Sequence, residues 1–111
     1  MTNEPKCLYD FTCEELIQFK ELRQKEIESA YFKVATAELD LRNVENSLWL
    51  NTDFKAQGLT NDSLRRAFVS DNTKEIRFEI STLKYELKQQ ENLLIIVNDL
   101  IKLRLQEVKN E

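Results

Sequence analysis

Residues 49–67, WLNTDFKAQGLTNDSLRRA, hold the chain's only glycine and separate two long stretches of helical periodicity. Gly58 is the one residue of this stretch that adopts a positive φ without steric cost, so the chain reverses beside it and a turn is expected over 52–60. After the reversal, Thr60 offers a hydroxyl to the free amides of a new helix, and Leu59 is placed to pack on Leu64 as a hydrophobic staple. The same device occurs upstream, where Thr12 and Glu15 have the spacing of a capping box and Phe11 and Leu16 that of a staple pair. The reading is a segment 1–11, a first helical arm 12–51, a turn 52–60 and a second arm 60–109.

Both arms carry a seam. In the first, Ile27, Ala30, Val34, Ala37, Leu41, Val44 and Leu48 alternate spacings of three and four, the heptad pattern of a helix packed along its length. In the second, Leu64 and Phe68 are followed by Ile76, Ile80, Leu83, Leu87, Leu94, Val97, Ile101 and Val108, with Gln90 at one seam position. Ser70, Asp71, Asn72 and Thr73 interrupt this arm with poor helix formers, which allows a kink or a short break at 70–73. With no Gly or Pro to force a stop, a bent but continuous helix is the expectation. Equal rise in both arms places Leu48 opposite Leu64 and Leu16 opposite Ile96. The fold class read from this pattern is all-α, a long antiparallel helical hairpin of coiled-coil type.

A chain of 111 residues is one domain, and two arms alone cover their apolar surface only in part. Leu93, Ile96, Leu100 and Leu103 form a second stripe beside the seam, facing or flanking an equally apolar start of the first arm that includes Ile17 and Phe19. These six residues are the expected interface of a four-helix homodimer. The alternative cover is the N-terminal segment folding back through Leu8 and Tyr9. Charged residues make up 32% of the chain, and its single proline, Pro5, lies outside both arms, as long helices require. Glu21 with Lys25 and Glu38 with Arg42 are acid-before-base pairs four apart that mark solvated faces.

The composition excludes most chemistry. Without histidine, Cys7 and Cys13 have no partners for a zinc site or a Cys/His nucleophile, and they read as free thiols. A Gly-rich phosphate loop is also absent, so the expectation is a non-enzymatic protein with no cofactor and no metal. Asn61-Asp62-Ser63 matches a glycosylation sequon and is read as helix-start chemistry. No run of eighteen apolar residues and no signal-peptide pattern occurs, so a cytoplasmic location without membrane contact is expected. A net charge of −4 disfavours a general polyanion binder while leaving room for a local basic patch.

Such a patch is confined to the reversal. Trp49, Leu50, Phe54, Leu59, Leu64 and Phe68 can cluster there, with Lys55, Arg65, Arg66, Lys74 and Arg77 around them and Asp53, Asp62, Asp71 and Glu75 interleaved. Trp49, Lys55, Arg65 and Arg66 are the candidate partner-binding residues. The order Trp49, Asn51 to Lys55, Gly58, Thr60-Asn61, Arg65 or Arg66, and Ala67 resembles a recurring pattern in small, mostly uncharacterised phage and prophage proteins with helical arms on both sides. The resemblance covers about twenty of the 111 residues. It implies a phage-type accessory protein and carries no known activity. Two functions follow: a protein-interaction module that binds and modulates or inhibits a host factor, or a nucleic-acid-associated protein that binds through the basic and aromatic tip.

Overall fold

The computed structural model describes residues 7–109, except the side chain of Val108, so that seam position and the first six residues of the N-terminal segment lie outside the described residues. A single 3-10 turn, Leu8–Asp10, precedes three helices: α1 (Cys13–Asn51), α2 (Asp62–Asn72) and α3 (Lys74–Lys109). No strand occurs among the described residues. The long helices α1 and α3 pack against each other as a hairpin. Two compact units divide the chain: a terminal unit, Met1–Ala30 with Glu86–Glu111, and a central unit, Tyr31–Tyr85.

In the terminal unit α1 starts where the capping box lies. The Glu15 amide donates to Thr12 Oγ1 and the Thr12 amide donates to Glu15 Oε1, each at 3.2 Å. Two otherwise unsatisfied donors are thereby paired reciprocally. Leu16, Val97 and Leu100 form the buried cluster, and Leu8, Phe11, Phe19 and Ile101 pack on it. Phe11 meets Phe19 edge to face at 5.9 Å, a geometry that aromatic quadrupoles favour. Leu8 therefore folds back onto the arms, as in the alternative cover, whereas Tyr9 is exposed. The Tyr9 carbonyl accepts a hydrogen bond from Arg104 Nη2. Leu16 packs on Val97 and Leu100, and Ile96 is 46% exposed, so the expected pairing of Leu16 with Ile96 is displaced by one residue.

In the central unit Val34, Val69 and Ile80 are buried, and the seam residues Ala37, Leu41, Val44, Leu48, Ile76 and Leu83 are half-buried. Lys84 pairs with Glu38 at 3.0 Å, but both side chains are about half exposed and such a pair contributes little. The reversal lies at 54–58. Gly58 has φ +73°, and the Leu59 amide closes the turn on the Phe54 carbonyl at 2.8 Å. The cap of the next helix is Asn61 rather than Thr60: its side-chain oxygen accepts from the Leu64 amide at 2.9 Å, and α2 begins at Asp62. The carboxamide at 61 occupies the capping position because Leu59 is still part of the turn. Leu64, expected opposite Leu48, is 43% exposed.

The second arm is not continuous. α2 ends at Asn72, and Thr73 (φ −113°, ψ 8°) separates it from α3. Side chains of the interrupting residues take over the last carbonyls of α2. Asn72 Nδ2 donates to the Phe68 carbonyl and Thr73 Oγ1 to the Val69 carbonyl, both at 2.8 Å. Arg77 Nη2 donates to the Ser70 carbonyl and to Ser70 Oγ. This competition of short polar side chains with the helical ladder stops the helix without Gly or Pro.

Candidate functional site

The tip is an aromatic stack with one arginine built into it. Trp49, near the end of α1, lies 5.4 Å from Phe54, and Phe54 meets Phe68 edge to face at 6.0 Å. Arg65 Nε donates to the Leu59 carbonyl at 3.1 Å, and its guanidinium carbon sits 5.5 Å from the Phe54 ring centre. Arg65 is thus half-buried and holds the turn closed, whereas Lys55 and Arg66 are exposed. Of the expected cluster, Leu50 is 82% exposed, Leu64 43% and Trp49 itself 40%. Leu50 projects from the last turn of α1 on a side with no neighbour to cover it.

Beside the stack lies an open cavity of about 220 Å³ lined by Glu45, Trp49, Arg66, Val69, Thr73 and Arg77, among others. Arg77 is held by Ser70, and a neighbouring hollow places Asp71 next to Lys74. Arg66 and Arg77 share the first hollow with Glu45, and Lys74 and Arg77 share the second with Asp71. Over residues 31–85 eight Lys and Arg balance eight Asp and Glu, so the chain's net charge of −4 resides in the terminal unit.

The terminal unit divides the expected dimer interface. Leu100 is buried in the cluster with Leu16 and Val97, and Phe19 packs against that cluster, so both serve the chain's own core. Leu93 is half-buried. Ile17, Ile96 and Leu103 are 44–53% exposed, and Leu22, Ile95 and Leu105 join them as exposed apolar side chains of this unit. Leu22 and Leu105 bound the apolar stretches at this end of the arms, whereas Ile95 was not singled out, although Leu93 to Val97 is five consecutive apolar residues, more than one helix face can bury.

Sequence reasoning also missed a polar layer in the same unit. Arg23 Nη1 donates to Gln90 Oε1 at 3.1 Å and pairs with Glu26 at 2.9 Å, while its guanidinium lies 4.9 Å from the Phe19 ring centre. Arg23 Nε is buried without a partner. The signal was available: continuing the first seam back from Ile27 by four reaches Arg23.

Cys7 and Cys13 are free thiols. Among the described residues no three His, Cys, Asp or Glu side chains stand together to hold a metal ion, and no helix is long and apolar enough to cross a membrane. The surface presents apolar side chains, mixed charge and shallow hollows. Compared with protein-family models, curated proteins and solved structures, the chain matches none of them.

Proposed function

We propose that this chain is a non-enzymatic protein-interaction module, a phage-type accessory protein that binds and modulates a host factor through its terminal unit. The observation that carries this reading is the exposure of Ile17, Ile96 and Leu103, with Leu22, Ile95 and Leu105, in the unit whose described buried apolar residues are Leu16, Ile27, Leu87, Val97 and Leu100. Large apolar side chains left exposed beside a core of this size mark interaction sites. The same unit carries the net negative charge, so the fitting partner presents an apolar surface rimmed by basic side chains. The alternative, nucleic acid at the tip, is weakened by the engagement of Arg65 with Phe54 and Leu59 and by the balanced charge of the central unit.

A pull-down from host lysate with three forms of the protein tests the reading. Wild type and an Arg66→Glu, Lys55→Glu variant are expected to retain the partner, and Ile96→Glu to lose it, because a charge in an apolar contact is strongly unfavourable. Retention by Ile96→Glu with loss by the tip variant would overturn the assignment. Gel shifts that weaken as salt rises would then identify a phosphate backbone as the ligand.

A further inference from the structure

Phe32 and Leu39 are large apolar residues on the solvent side of α1 in the central unit, 74% and 53% exposed. The buried seam of this helix runs through Val34 and Leu41 and does not use them. With exposed Thr36 between them they have spacings of four and three, a second seam with a small residue at its middle. Lys33 and Asp40 flank this stripe, both exposed and neither in an ion pair. Seven residues apart on one helix, they are separated by about 10 Å along its axis and cannot neutralise each other. Phe32, Lys33, Thr36 and Asp40 line, with Ala37, Glu79 and Leu83, a cavity of about 250 Å³.

We propose that a second copy of this chain docks antiparallel along this face, with Thr36 of both copies at the twofold axis. The order of the charges argues for self-association. Reversing the direction of the second helix places Lys33 against Asp40 of the partner subunit and Asp40 against Lys33 of the partner subunit, so both unpaired charges find opposite partners at once. A parallel copy would put these residues of the two copies on opposite edges of the contact, leaving both charges without partners. The same operation brings Phe32 against Leu39 of the partner subunit on both sides of the axis, and the cavity beside Phe32 receives the incoming apolar side chain. This is an isologous contact, in which one patch is its own complement. This face is separate from the terminal-unit contact, and either assignment can fail without the other.

Charge reversal tests it without disturbing the core, since both positions are exposed and unpaired. By sedimentation velocity at about 50 µM chain, wild type is expected as a dimer. Lys33→Asp and Asp40→Lys, each measured alone, are expected to weaken dimerisation by at least about tenfold with an unchanged helical circular dichroism spectrum. An equimolar mixture of the two variants restores opposite charges across both contacts and is expected to recover the dimer as a heterodimer. Phe32→Ser is expected to give a monomer whether or not salt is added. A monomeric wild type, single reversals that leave the dimer intact, or a mixture that stays monomeric would each overturn the proposal. So would a dimer that is dissolved by Ile96→Glu and not by Phe32→Ser.

Discussion

Replacing Thr73 by Val tests whether side chains, rather than packing, make the joint between α2 and α3. The two residues have nearly the same shape, and Thr73 is 1% exposed, so the substitution removes a hydroxyl from a buried position and little else. Thr73 Oγ1 donates to the Val69 carbonyl at 2.8 Å, while the Thr73 amide points to the Ser70 carbonyl at 3.3 Å. Without the hydroxyl the Val69 carbonyl is left without that donor, and leaving a buried acceptor unpaired costs about 1–3 kcal/mol. An unfolding entropy of about 0.23 kcal/mol/K for a chain of this length converts that cost to a fall in Tm of roughly 4–13 °C. Thr73→Ser keeps the hydroxyl and loses one methyl group, so its cost is about 1 kcal/mol. Thermal melts followed by circular dichroism read both variants. The reasoning is refuted if Thr73→Val melts with wild type while Thr73→Ser does not, because the methyl group rather than the hydrogen bond would then hold the joint.

Asn61→Ala is expected to cost about 1 kcal/mol through the lost cap, and Thr60→Ala less than about 0.5 kcal/mol; the order of their urea midpoints checks which residue caps α2. Gly58→Ala has open space around the new methyl group, so its cost of about 1–2 kcal/mol comes from the positive φ alone, and an unchanged midpoint would show that the turn relaxes. Arg65→Glu is expected to lower stability by more than about 1 kcal/mol, since it removes a donor from the Leu59 carbonyl, and Arg66→Glu to leave stability within about 0.5 kcal/mol.

The reversal was readable because Gly58 has no rival: one glycine between two heptad patterns admits few folds. The capping box at Thr12 was readable for the same reason, its two partners lying three residues apart on one short segment. What escaped the sequence depends on contacts between distant segments. Thr60 and Asn61 are both good caps, and the choice between them follows from where the turn closes on Phe54. The break at Thr73 required knowing that Arg77 would reach back to Ser70, seven residues earlier. At the tip, Arg65 and Arg66 are indistinguishable as letters. Only the position of Phe54 selects Arg65 for the turn and leaves Arg66 in solvent.

The polar layer at Arg23 bears on why the exposed face of the terminal unit is well defined. A heptad seam is nearly degenerate to a slip of seven residues, since apolar positions then meet apolar positions again. Arg23 and Gln90 lift that degeneracy. Displacing α3 by one heptad would leave the guanidinium, whose side chain is 22% exposed and whose Nε already lacks a partner, without its Gln90 acceptor. The pair need not stabilise the fold in absolute terms, because leucines of similar volume at both positions would avoid the desolvation cost. Its contribution is to penalise the wrong register more than the right one. With register fixed, Val97 is fully buried and Ile96, its neighbour, is left in solvent. A slip of seven residues would keep Ile96 outside the seam but carry it along α1, so the polar contact sets which exposed side chains of α1 it stands beside.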